Sequence, residues 1–309
     1  MLEFLRPVEH FNRSFDRGMI LCEFQALREP EATRFPQIGA WLRAKGVAFN
    51  EIPTPSMYWR GKLWPDLYIA NQLEAVPDSL ISERDWEVKP ENKSSWPDGF
   101  SLASASRTYH GVRFHEAFIE PMCGKITGLP SSEIAAKYHR AIWLPLYWPQ
   151  TLRARASIRT PFYYPAAGYA GKLAECLDIS LGDRPRTNGR NDAHIESIGV
   201  NLAYVVATPR RLFSTMFIVD DSPIYRVTDM DGCAKIMGAE FHRFVVEYRG
   251  ECNVVQELER MGLTYHARHM AFDSLRLTLP TIKNVAAGWR PRPNMNTQLW
   301  EHINAESHA

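Results

Sequence analysis

Several polar and aromatic residues stand where they could do chemistry. Near the end of the chain, Arg290 and Arg292 each precede a proline in NVAAGWRPRPNMNTQLWEHI (284–303). The second proline leads into Asn294-Met295-Asn296-Thr297, which reads as the cap and first turn of a helix. A helix start carries unpaired N–H groups and a positive dipole end, so with arginines beside it the natural partner is an anion; a solvated turn is the plain alternative. Arg226 in IYRVTD lies on an apolar strand, which is costly unless it meets an anion or a carboxylate; otherwise it is a surface arginine on an edge strand. Tyr163 and Tyr164 could line a ligand face with a hydroxyl as handle, or divide between core and surface. Trp143, Tyr147 and Trp148 would suit a ring-stacking wall or plain packing. His139 and His242 could each move a proton near neutral pH, or be hydrogen-bonded structural histidines. His266 and His269 are spaced to share a helix face as metal ligands, but no third ligand of matching spacing accompanies them. Cys123 beside Gly124 is the remaining nucleophile; without a G-x-S-x-G elbow it reads as a small core residue.

Composition limits what these groups can serve. Thirty-six Lys+Arg against thirty-five Asp+Glu leave a formal net charge of +1 over 309 residues, so no global field attracts nucleic acid and any anion site is local. The five cysteines are widely spaced with no C-x-x-C pair, which speaks against a disulfide framework and a zinc knuckle and suits a reducing cytoplasm. Charges interrupt the first residues, and the longest apolar stretches are too short to span a bilayer. Nine tryptophans, clustered rather than scattered, favour a cavity lined by rings around a small-molecule ligand.

The elements that would position these residues fall in order. FPQIGAWLRAKG predicts a helix closed by Gly46, and MYWRGKLW two short strands around an Arg60-Gly61 turn. GVRFHEAFIEPMCGKITG predicts a helix ending at Pro121, and SSEIAAKYHRAIWLPLYWPQTL a second helix opened by a Ser-Ser-Glu cap. The β-branched and aromatic runs IESIGVNLAYVVA, FSTMFIVD, IYRVTD and EFHRFVVEYR predict an antiparallel sheet. VVQELERMGL predicts a helix ending on Gly262, and LRLTLP a last strand. The layout is α+β: helices first, a sheet in the middle, and a tail that returns toward the beginning.

In collinear order, FDRGMILCEF, MYWRGKLWPDLYIANQLEAV, FIEPMCGKITGLPSSEIAAKYHRAIWLPLYWPQTL, FYYPAAGYAGKL, IYRVTD and the C-terminal motif resemble passages of one flavoprotein superfamily. It contains UDP-galactopyranose mutase, protoporphyrinogen oxidase and the amine oxidases, and the likeness is greatest to its mutase-like bacterial members. The resemblance implies FAD as cofactor. Asp16 and Gly18 would lie near the isoalloxazine, and Gly168 would lie in a glycine turn that packs near the flavin. Gly288, Arg290, Asn294 and Asn296 would face the pyrophosphate and ribityl chain. On that reading Arg226 would hold an anionic substrate group and Tyr164 and His242 would be catalytic with it, while Trp143, Tyr147, Trp148, Tyr163 and Tyr225 would wall the cavity around a small polar substrate.

The defining G-x-G-x-x-G turn of such proteins occurs nowhere in this sequence, and Asp16 comes too early for a preceding βαβ unit of about thirty residues. The resemblance therefore implies the substrate-binding domain of a mutase- or amine-oxidase-like flavoprotein with an incomplete dinucleotide-binding domain. Residues 1–56 read as a remnant of the flavin-domain region, 57–160 as a helical substrate region, 161–275 as a mixed antiparallel sheet, and 276–309 as the return to the flavin domain. Three readings follow. A partner polypeptide supplies the dinucleotide-binding unit and FAD binds only with it; or the chain is a flavin-free binding or scaffolding subunit, self-association then covering its exposed surface; or the chain is a truncation.

Overall fold

The computed structural model describes residues 36–53, 55–65, 96–138, 162–165, 195–234, 240–290 and 303–305. After helix α1 (Pro36–Ala44), the chain forms β1 (Phe49–Ile52), β2 (Ser56–Trp59) and β3 (Lys62–Trp64). Arg60 and Gly61 join β2 to β3 with φ of 57° and 68°. Two successive positive φ values are what a tight hairpin needs if its turn is to follow the strand twist. The N–H groups of both residues donate to the Asp220 carboxylate, which fixes the turn from outside.

The helical layer consists of α2 (Leu102–His110), α3 (Val112–Phe114), a π-helical turn (His115–Ile119) and α4 (Glu120–Thr127). The predicted stop at Pro121 does not occur; proline instead occupies the first turn of α4. The wide π turn carries the Glu120 N–H back to the His115 carbonyl, so helix continues where a proline without an N–H would break a regular one. The expected Ser-Ser-Glu helix is also absent. Residues Ser131–Glu133 form one 3-10 turn, and Ile134 is extended, bridging to Thr281, while Ala135 bridges to Ser101. The cap signature is answered by another partner, since the Ser131 N–H and hydroxyl both donate to Glu120.

Strands β5 (Ser197–Pro209), β6 (Thr215–Ile218), β7 (Ile224–Asp229), β8 (His242–Tyr248) and β9 (Thr264–Thr278) complete a seven-stranded sheet in the order β3-β2-β6-β7-β8-β5-β9. Among the described strands only β2 and β6 pair in parallel. A second, two-stranded sheet pairs β1 with β4 (Phe162–Pro165). The centre of the large sheet is buried on both faces. On one, Met57 and Trp59 of β2 pack against Phe114, Phe118 and Cys123 of the helical layer. On the other, Val205, Met216, Val227 and Phe244 pack against Val254 and Leu258 of helix α6 (Val254–Arg260). Strict alternation sets the division: Phe217 joins the first core, and its neighbours Met216 and Ile218 join the second. The architecture is α+β.

Two cations tie α4 to this sheet. Lys125 Nζ donates to the carbonyls of Ile218 and Asp220, and Arg249 donates to the carbonyls of Lys125 and Ile126 at the end of the helix. Gly128, with φ 70°, closes the helix; a Cβ there would meet Arg249 Nη1 at 3.2 Å. Among the described residues no helix is long and apolar enough to cross a membrane.

Candidate functional site

Ionisable side chains concentrate on the two central strands β7 and β8. Asp229 ends β7 with no exposed surface, and its carboxylate accepts from the Gly232 N–H at 2.8 Å in the short helix α5 (Met230–Ala234). His242, the first residue of β8, places Nδ1 2.9 Å from Asp229 Oδ2 and 3.1 Å from Oδ1. Residue 232 must be glycine here, because a Cβ would lie 2.8 Å from Asp229 Oδ2 and 2.9 Å from the Phe213 carbonyl. Beside this pair, Asp231 accepts from the Arg243 N–H at 2.7 Å and its guanidinium at 2.8 Å.

Burial pushes the Asp229 carboxyl above its ordinary range despite the facing imidazole. The hydrogen bond to Asp229 raises His242, against the opposing effect of burial. Both directions mean that the pair holds its proton more tightly than the same groups in the unfolded chain. A carboxylate on Nδ1 fixes the ring and leaves Nε2 as the atom that can exchange a proton; among the described residues nothing pairs with it. Helix α5 packs against β1 and β4, so the backbone of Tyr163 and Tyr164 on β4 is brought beside the element that holds Asp229.

Farther along the same strands, Arg226 stands opposite Glu247. Its Nε lies 2.6 Å from Glu247 Oε1, Nη2 contacts the same oxygen, and the two side chains are 14% and 6% exposed. The cation therefore has its carboxylate inside the protein. An irregularity between Ile224 and Arg226 makes Tyr225 an extra residue in β7, so Tyr225 and Arg226 both approach Glu247. Burial, then the Glu247 charge, raises the Tyr225 hydroxyl well above its usual range, so it remains a proton donor.

Gly288, with φ 93°, follows helix α7 (Ile282–Ala286). Arg290 is taken up locally: Nη2 meets Asp98 Oδ2 at 2.9 Å, while Nη1 donates to the carbonyls of Val285 and Trp289. The structure thus brings Arg226 and Tyr225 on β7 to Glu247, on the face of the sheet that Phe217 shares, whereas His242, opposite Ala207 at the start of β8, lies on the other face. None of the contacts of Arg290 is to that group. Asp16, Gly18, His139, Trp143, Tyr147, Trp148, Gly168, Asn294 and Asn296 lie outside the described residues. His266 and His269 sit on β9, not on a helix, and among the described residues no three His, Cys, Asp or Glu side chains form a metal cluster. Burial pushes the Cys123 thiol up to about 12, which keeps it protonated and inert.

Asp229, Glu247 and Lys125 join the site only through the structure. Burial lowers Lys125 to about 8 while its ammonium holds two carbonyls. Glu247 in FVVEYR is the same anomaly as Arg226, a charge in an apolar strand, and that signal could have found it. His115 is fully buried in the π turn, with Nε2 3.4 Å from Glu120 Oε2. Burial, then the Arg107 charge, lowers its imidazole, so this contact is not a charged pair.

No protein-family model matches the sequence, and no curated protein matches it. Solved structures do. Over 96% of this chain and 85% of the other, it superposes on reduced UDP-galactopyranose mutase with a TM-score of 0.61 and 11% identity. The chain has the fold of that mutase. An oxidoreductase from Methanosarcina mazei gives a TM-score of 0.39 at 11% identity, covering 85% of this chain and 78% of that one. Cyclohexylamine oxidase from Brevibacterium oxydans gives 0.37 at 10%, covering 88% and 85%.

Two outcomes follow for the buried charges. A raised His242 stabilises the fold fully below the unfolded histidine value of about 6.5 and progressively less as pH rises through its folded value. Thermal unfolding of the wild type minus that of His242→Gln should therefore show a stabilisation that declines upward from about pH 6.5. Arg226→Met leaves Glu247 buried without its cation, an expected loss of about 3–5 kcal/mol by chemical denaturation; adding Glu247→Leu should restore much of it.

Proposed function

We propose that this chain is the substrate-domain component of a split or paired FAD-dependent oxidoreductase acting on a small polar metabolite. The observation that carries the reading is the superposition on UDP-galactopyranose mutase along nearly the whole chain, in a sequence that contains no G-x-G-x-x-G turn. The flavin would supply hydride or electron chemistry when bound. Of the residues expected to meet the nucleotide half of such a cofactor, Arg290 does not fit, since it is committed to Asp98 and to carbonyls, and Asp16, Gly18, Gly168, Asn294 and Asn296 lie outside the described residues. On this reading a partner polypeptide supplies the pyrophosphate contacts.

On this chain, His242 would hold or move a proton at Nε2, with Asp229 fixing the ring. Arg226 would act through its pair with Glu247, orienting the protonated Tyr225 hydroxyl, rather than gripping a substrate anion. Tyr163, Tyr164, Trp143, Tyr147 and Trp148 remain proposed cavity residues, and Asp16, Gly18, Gly168, Gly288, Asn294 and Asn296 proposed neighbours of the flavin. The internal satisfaction of Arg290 favours a second reading, a flavin-free binding or scaffolding subunit derived from the same fold.

The visible spectrum separates the readings. The isolated chain should purify colourless, and the same chain co-purified with a partner bearing the dinucleotide-binding unit should show bound-flavin absorbance. A colourless complex with every retained partner would favour the flavin-free subunit, and a stoichiometric yellow protein from this chain alone would overturn the need for a partner.

A further inference from the structure

The π turn at His115–Ile119 does more than carry the helix past Pro121. Residues five apart in a regular α-helix point about 140° away from one another, whereas the i→i+5 bond of a π turn stacks them. The stacked pair is His115 and Glu120, and the imidazole Nε2 lies 3.4 Å from Glu120 Oε2. His115 has no exposed surface, and among the described residues neither of its ring nitrogens has a hydrogen-bond partner, so the contact with Glu120 is close without being aligned as a bond. A buried polar group left in this state is costly, and single π turns recur at functional sites.

The Glu120 carboxylate, half-buried at the start of α4, is meanwhile occupied. It accepts from the Ser131 hydroxyl at Oε2, the oxygen that also faces His115, and from the Ser131 N–H at 3.3 Å to each oxygen. Ser131 opens a segment that joins two elements distant in sequence. The Ile134 carbonyl accepts from the Leu102 N–H at the start of α2, and the Ala136 N–H donates to the Phe100 carbonyl. The Ala135 N–H donates to the Pro280 carbonyl, one residue before Thr281, which caps α7. One carboxylate thus anchors the connection between α2 and α7. A charge on His115 would compete for it, because a buried cation needs an anion. The charges facing the ring are Arg107 on α2, which opposes its protonation, and Glu120 on α4 and Glu116 on its own turn, which favour it. Glu116 is exposed, which leaves Glu120 as the anion in contact.

We propose that His115 is the trigger of an acid-sensitive latch: once protonated, it draws the Glu120 carboxylate from Ser131 and loosens residues 131–136 from the starts of α2 and α7. The inference does not depend on the flavin reading, because it uses only the helical layer. Burial, then Arg107, depresses the folded value of this imidazole, so the ring stays neutral at and above the ordinary histidine value of about 6.5 and takes its proton only at lower pH. The sign is opposite to that of His242, since protonating a depressed histidine removes stability as pH falls.

Amide hydrogen exchange on the full chain, followed from pH 7.5 downward and corrected for intrinsic rates, tests it alongside the NMR titration of the His115 ring. In the wild type, protection of residues 131–136 should fall about tenfold or more as the ring titrates, the scale expected for losing hydrogen bonds to a charged acceptor, while β5 and β8 keep theirs. His115→Phe keeps a buried ring without a titrating group and should remove the step. Glu120→Gln, at a half-buried position, keeps an acceptor for Ser131 but offers His115 no anion; it should also remove the step, and it serves alone if His115→Phe does not fold by circular dichroism. A step that persists unchanged in these variants would overturn the proposal. So would a His115 ring that titrates while residues 131–136 stay protected, or one that stays neutral until the whole protein unfolds.

Discussion

Asp229 and Glu247 are held on the central strands away from water, and a carboxylate there is tolerated only if donors meet it. Asp229 takes the His242 imidazole and the Gly232 N–H; Glu247 takes the Arg226 guanidinium. Two of these three contacts, His242 to Asp229 and Arg226 to Glu247, are made across the β7–β8 ladder, so the ion pairs and the strand register specify one another. A slip of one residue would turn Arg226 and Glu247 to opposite faces of the sheet and strand both charges.

That register orders the layers on either side. With Val227, Phe244 and Val246 turned to one face, α6 has an apolar surface to cover; with Phe217 and Met57 turned to the other, the helical layer has its own. Lys125 and Arg249 then lock the end of α4 onto the strand ends, spending their charge on carbonyls rather than on acids. The candidate site lies where the sheet's buried charges come closest to the small sheet: α5 grows directly out of Asp229 and packs on β1 and β4. A rigid carboxylate behind an imidazole is useful chemically because it removes the choice of tautomer, leaving one nitrogen to exchange protons.

Much of the fold could be read from alternation. IYRVTD and EFHRFVVEYR form strands because their apolar residues recur every second position, and Gly46 and Gly262 end helices with the positive φ that glycine accepts readily. Local rules failed where tertiary contacts replaced them. Pro121 reads as a stop, but the π turn before it satisfies the backbone differently. Ser131 reads as a cap, but its donors go to Glu120 in the preceding helix. The spacing of His266 and His269 suggests a helix face, yet pairing with β5 over fifteen residues makes a strand, with His266 forced to φ 51° at an irregularity. For the site, His242 and Arg226 were visible as anomalies of type. Their carboxylates were not, because Asp229 lies thirteen residues from His242 and Glu247 twenty-one from Arg226, and only the ladder brings each pair together.

The claim on which the site rests is that His242 is an oriented imidazole, bonded through Nδ1 to a buried carboxylate and, among the described residues, unpaired at Nε2. Histidine side-chain nitrogen shifts followed through a pH titration by NMR report both features at once. The account predicts a His242 signal with the proton on Nδ1 in the neutral ring and a midpoint above that of an ordinary histidine, falling when Asp229 is changed to Asn. A neutral ring protonated on Nε2, or a midpoint lowered below the ordinary value, would contradict it.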